Sequence, residues 1–183
     1  VLRALLVRQT FYKPSKDVLT RVEELEKHLE PKAPMLTVHL RRTDKKLDNA
    51  TMYRHENRAP FKETMVVVRA LIRAAERLSG LLFQSIFLMS DEPGLFSSEA
   101  THYLSTSTLS PTKPKVIFND FVQTYLANHT GYLQSGHTSL GKKEHAMMDR
   151  ELVASIALAA KHSSYLVGYG RSGVSQVISQ LLG

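Results

Sequence analysis

The chain has 183 residues, enough for one sizeable core or two small ones. Hydrophobic residues make up 43% and charged ones 22%, ordinary for a globular fold, and no apolar run approaches the ~18–20 residues a membrane span needs. With no cysteine, a disulfide framework and a thiolate metal site are both excluded.

The net charge of +7 is unevenly spread: residues 1–80 hold 17 of the 24 Lys/Arg and 10 of the 17 Asp/Glu, and the remainder is balanced. A basic half suits an anionic ligand, whether nucleotide, nucleic acid or membrane surface. The cations alternate with acids along helical stretches, however, and no run of aromatics interleaves with them. That counts against a nucleic-acid module and leaves most of them as a generic basic surface. The opening Val1-Leu2-Arg3-Ala4 has no signal-peptide layout and the chain does not begin with Met, so it reads as a segment of a longer protein. Asn49-Ala50-Thr51 and Asn128-His129-Thr130 are glycosylation acceptor triplets that permit a secretory address without proving it.

In chain order, Val1 to Arg8 reads as an apolar helix end. Ser15 caps a helix with Asp17 in its first turn; Val18, Val22, Leu25 and Leu29 follow at helical spacing to about Glu30, and Pro31 and Pro34 close it. Met35 to Leu40 is a buried strand that runs directly into Arg41-Arg42-Thr43-Asp44-Lys45. Thr43 to Pro60 is polar, irregular and long enough to be functional. Lys62 to Ser79 predicts a helix with Met65, Val68, Ile72, Ala75 and Leu78 on one face and Gly80 as its C-terminal glycine.

Gln84 to Met89 reads as a second buried strand, followed by Ser90-Asp91-Glu92-Pro93, and Pro93 opens a helix towards Tyr103. Ser105 to Pro114 is loop-like, and Val116-Ile117-Phe118 is a short strand. Residues 119–141 are mixed, with turns at Gly131, Gly136 and Gly141. A helix from about Lys143 to Lys161 carries Met148, Leu152, Ile156 and Ala160 on one face. Tyr165-Leu166-Val167 is the last strand, and the turn from Gly168 to Gly173 leads into a closing helix with Val174, Val177, Ile178 and Leu181. Strand and helix alternate, which predicts an α/β domain: a Rossmann-like open parallel sheet with helices on both faces.

Three clusters fall at the ends of predicted strands: His39 to Lys45, Ser90 to Pro93, and Gly168 to Gly173. In open α/β sheets ligands bind outside the carboxyl ends of the strands. Adjacent arginines suit a phosphate-bearing ligand, and the alternative is a solvated loop whose arginines pair with nearby acids. The glycine-rich turn fits neither the dinucleotide fingerprint nor the P-loop, but it can bring backbone N–H groups at a helix start close to an anion; a tight strand-to-helix connection is the alternative. The remaining histidines, 28, 55, 102, 129, 137, 145 and 162, show no ligand-like grouping.

His39-x-Arg41-Arg42-Thr43-Asp44-Lys45 resembles the first signature of the α1,6-fucosyltransferases, the core fucosyltransferases of N-glycans and their Nod-factor relatives. Leu88 to Pro93 is similar to that family's acidic turn, Met148-Asp149 with Ser164 to Val167 to its aspartate-led helix and last donor-binding strand, and Arg171 to Val174 to its last motif. The resemblance implies the C-terminal, donor-binding half of a GT-B transferase. It further implies a GDP-fucose donor, a glycan or glycoprotein acceptor, no divalent metal, a Golgi or secretory setting, and an anchor, where there is one, outside this segment. By position His39 and Asp149 would hold guanine, and Arg41, Ser172 and Gly173 the phosphates. Arg42 and Asp44 would brace the site, Lys45 would stand beside the acceptor, and Asp91 and Glu92 would line the fucose side. The family's catalytic glutamate aligns with Asn49, an amide that cannot act as base; Asp48 is the adjacent candidate and Glu56 a more distant one. Gln176 stands where the last motif has a second basic residue. A non-catalytic nucleotide-sugar or glycan-binding relative therefore remains the alternative reading.

Overall fold

The computed structural model describes residues 14–40, 61–90, 103, 114–128, 141–168 and 172–182. Five helices and four strands are described: α1 (Lys16–Leu29), β1 (Met35–Leu40), α2 (Phe61–Ser79), β2 (Ser85–Ser90), β3 (Lys115–Phe118), α3 (Asp120–Asn128), α4 (Lys142–His162), β4 (Ser163–Gly168) and α5 (Gly173–Leu182). The strands form one sheet in the order β3-β2-β1-β4, and every pairing is parallel. The fold is thus the α/β open sheet that the alternating pattern predicts.

Local chemistry sets the ends of these elements. Ser15 accepts a hydrogen bond from the Val18 amide at 3.4 Å, capping α1 as its sequence predicts. At the other end of α1, Lys115 Nζ donates to the Leu29 carbonyl at 2.9 Å and places a cation on the negative pole of the helix. Gly80 follows α2 at φ +65°, a left-handed turn that glycine adopts without strain. The Lys32 amide donates to Ser85 Oγ and the Gln84 amide to the Pro34 carbonyl, both at 2.9 Å, which holds the entries of β1 and β2 side by side.

The two faces of the sheet follow from strand parity. Leu36, Val38 and Leu40 of β1 and Ile86 and Leu88 of β2 pack with Phe61, Met65, Val68, Ile72 and Ala75 of α2. Met35, Phe87, Met89 and Ile117 point the other way and pack with Val22, Leu25 and Leu29 of α1, Ala154 and Leu158 of α4 and Ile178 of α5. Every residue of β1 is buried, because β1 is flanked by strands on both edges and helices on both faces. Each of its aliphatic side chains contributes roughly 2 kcal/mol by leaving water.

Three expectations need correction. Leu78 is 87% exposed instead of facing the core: three 100° steps from Ala75 leave it about 60° outside the buried stripe, one residue before α2 ends at Ser79. α4 buries far more than one stripe, including Glu151, Ala154, Ser155, Leu158 and Ala159, because it contacts α1, α3 and α5 at once. The stretch read as mixed turns holds α3, started by Asn119, whose Oδ1 accepts from the Phe121 amide at 3.1 Å. The helix read after Pro93 and the loop from Ser105 lie, apart from Tyr103 and Pro114, outside the described residues.

Candidate functional site

Strand order places the site. β2 and β3 lie on one side of β1 and β4 lies on the other, so β1 and β4 flank the point where the winding reverses. At such a switch point the connections leaving neighbouring strands diverge and leave a crevice at their carboxyl ends. His39 and Gly168 are register partners at those ends.

His39 shares parity with Met35 and so turns to the α1/α4/α5 face, where it is buried. Its Nδ1 lies 2.7 Å from Ser175 Oγ in the first turn of α5, and that contact fixes the ring against the helix start. The fit needs Gly168: a Cβ there would stand 2.5 Å from Ser175 Oγ and 3.1 Å from Ser175 Cβ. A glycine at this strand end is therefore required by close approach.

Ser172 precedes α5, and its carbonyl accepts from the Gln176 amide at 3.0 Å, the first bond of the helix. Its residue is only 1% exposed, yet among the described residues the hydroxyl has no hydrogen-bond partner. An orphaned buried hydroxyl is uncommon because it forfeits its hydration. Here it stands beside the amides of the first helical turn, which have no intrahelical acceptor. Gly173 begins α5 exposed, and a Cβ built on it meets nothing within 4 Å, so there is room beside the first residue of the helix. Hydroxyl, amide N–H groups and helix dipole together suit an anion.

Asp149 occupies a different element. It is exposed near the start of α4, with its carboxylate 3.5 Å from His145 Nδ1. α4 runs directly into the first residue of β4, so its N-terminal end lies towards the same carboxyl edge of the sheet. Thus His39, Ser172 and Gly173 converge, while Asp149 pairs within its own helix. Arg41, Arg42, Asp44, Lys45, Asp48, Asp91 and Glu92 lie outside the described residues. Of the other histidines, His28 meets Asp120 at 3.1 Å and His162 meets Glu26 at 2.6 Å, both structural contacts.

A second polar cluster, unanticipated from the sequence, sits past the end of β3. The buried Glu151 carboxylate accepts from Arg21 Nε at 2.7 and 3.0 Å and from Asn119 Nδ2 at 3.0 Å; Asn119 Nδ2 also reaches Ser155 Oγ at 3.1 Å. Burial works against the Arg21 cation, but its bonds to Glu24 and Glu151 prevail and hold its pKa above the usual arginine value. Both carboxylate oxygens are occupied by partners from other elements, so the cluster braces α1, α4 and β3. The one trace of it in sequence is an acid at 151 in helical register with Met148, Ser155 and Leu158.

Among the described residues no group of three or more His, Asp or Glu side chains is arranged to hold a metal ion, and no helix is long and apolar enough to cross a membrane. Compared with known proteins, the chain matches no family model and no curated protein.

Proposed function

We propose that this domain binds the GDP moiety of a sugar nucleotide at the β1/β4 switch point and serves as the donor half of an inverting fucosyltransferase. One observation carries the reading: the buried Ser172 hydroxyl, without a partner among the described residues, at the N-terminus of α5, the helix whose Ser175 meets His39 of β1. That geometry supports a phosphate subsite in a position where the sequence resembles a donor-binding motif.

On this reading the diphosphate rests on the Ser172 hydroxyl and the α5 amides, with Arg41 supplying the positive charge. His39 and Asp149 contact the base, Arg42 and Asp44 brace the site, and Asp91 and Glu92 line the sugar side. The acceptor hydroxyl oxygen attacks the anomeric carbon of fucose from the face opposite the diphosphate. Its proton passes to a carboxylate, for which Asp48 is the candidate, while the bond between the anomeric carbon and the diphosphate oxygen breaks and GDP leaves with the electron pair. Charge grows on the departing phosphate, where fixed N–H, O–H and guanidinium donors are most effective. No step of this scheme requires a metal ion.

Asn49 at the aligned base position favours a second reading, a nucleotide-sugar-binding relative without turnover. Titration calorimetry with GDP and GDP-fucose in the presence of EDTA tests both. Binding abolished by Arg41→Ala and weakened by Ser172→Ala supports a donor site, and turnover lost in Asp48→Asn then selects the enzyme. No GDP binding at millimolar concentration sinks both readings.

A further inference from the structure

The face of α2 turned away from the sheet is unusually apolar for a solvent-facing helix. Val66 and Val67 are 60% and 54% exposed, and Ala70 and Ala74 are exposed with them. At 100° per residue these four side chains share one strip opposite the core stripe of Phe61, Met65, Val68, Ile72 and Ala75. The strip is closed by an acid at one end, Glu63, and a cation at the other, Arg77, both exposed and neither in an ion pair among the described residues.

The placing of those charges is self-complementary. Glu63 and Arg77 stand seven residues to either side of Ala70, about 10.5 Å along the axis. Two copies of α2 crossed antiparallel about a two-fold axis at Ala70 put Glu63 against the partner's Arg77 at both ends. The same operation sets Val66 against the partner's Ala74 and Val67 against the aliphatic stem of the partner's Arg73. Ala70 faces its own copy at the centre, where a small side chain lets the backbones approach closely. A parallel arrangement would bring like charges together instead.

We infer that a second copy of this chain docks on the outer face of α2, giving an antiparallel two-fold dimer centred on Ala70. One helix face is smaller than a standard stable interface, so the association is weak. Isologous contacts of this kind close after two subunits and do not propagate.

Sedimentation velocity from ~5 to ~500 µM tests this, with circular dichroism to verify that each variant is folded. The expected result is a monomer–dimer equilibrium whose Kd rises at least ~10-fold in Ala70→Glu. Glu63→Arg and Arg77→Glu should each weaken it about threefold or more, and the double charge swap should return it to within about twofold of the starting value. A single monomeric species over the whole range overturns the inference and leaves this face to some other occupant. A dimer indifferent to Ala70→Glu, or a folded double swap that fails to restore association, overturns it equally.

Discussion

His39 Nδ1 and the Ser175 hydroxyl meet at 2.7 Å in the buried seam between β1 and α5, and they meet there because Gly168, the register partner of His39, has no side chain. One short contact thus joins the end of β1 to the start of α5. On the proposed reading, the distance between the groups for base and phosphate depends on it.

Gly168→Ala should therefore be costly. The new methyl would fall 2.5 Å from Ser175 Oγ, and Ser175 Cβ and His39 Cβ, at 3.1 and 3.7 Å, belong to packed elements that cannot yield freely. A loss of about 1–3 kcal/mol is expected in urea unfolding. Adding Ser175→Ala removes the worst overlap and should recover part of that loss, although a 3.1 Å approach to Cβ remains. An unchanged midpoint in Gly168→Ala alone would refute the close-approach account.

Ser172 and Ser15 both precede helices, but their replacements should behave differently. Ser15→Ala removes a capping bond and should cost about 0.5–1 kcal/mol. Ser172→Ala removes a buried hydroxyl that has no partner among the described residues, so stability should stay within about 0.5 kcal/mol or rise slightly. Its effect should appear in ligand binding instead, as a GDP affinity lower by roughly five- to tenfold. If Ser172→Ala destabilises the fold as much as Ser15→Ala does, its hydroxyl is a structural cap.

What could be read before the structure was known divides along the range of the interactions. Strands and most helices are specified by neighbours in sequence: the Val22-Leu25-Leu29 spacing, the Ser15 cap and Gly80 all match what forms. Lateral order is different, since nothing in β1, β2 or β4 alone states that β4 lies beside β1. The polar contacts of the site and of the Glu151 cluster are long-range as well. His39 and Ser175 are 136 residues apart, and Arg21 and Glu151 are 130 apart. A short helix such as α3 was hidden because its start depends on Asn119, which is itself held by α4. Leu78 misled because a stripe extended by one more step leaves the buried sector.

Glu151 gives the sharpest stability test. Its carboxylate is buried and held by Arg21 and Asn119, so Glu151→Ala leaves a guanidinium and an amide facing a cavity. About 3 kcal/mol should be lost, within the range for breaking one side of a buried pair. Glu151→Gln keeps the shape and one acceptor and should lose about half as much. Equal effects for the two variants would mean that packing, not charge, sets the cost.

Glu26 of α1 accepts from Lys161 Nζ at 2.7 Å and His162 Nε2 at 2.6 Å at the end of α4. Burial alone would raise its pKa, but the bonds to Lys161 and His162 outweigh burial and hold it below the ordinary carboxylate value. In the unfolded chain the same group titrates near the usual ~4.3. Between those two values the unfolded state binds the extra proton, so stability rises with pH across that interval. The contribution is complete above about pH 5 and disappears as pH falls through the folded value. Glu26→Gln should therefore lose roughly 1 kcal/mol or less at pH 7, and its deficit should shrink towards zero as the pH falls below about 4. Urea unfolding at half-unit pH steps reads this directly; a deficit that stays constant down to pH 2.5 would show that the pair at the α1–α4 junction acts through shape and not through charge.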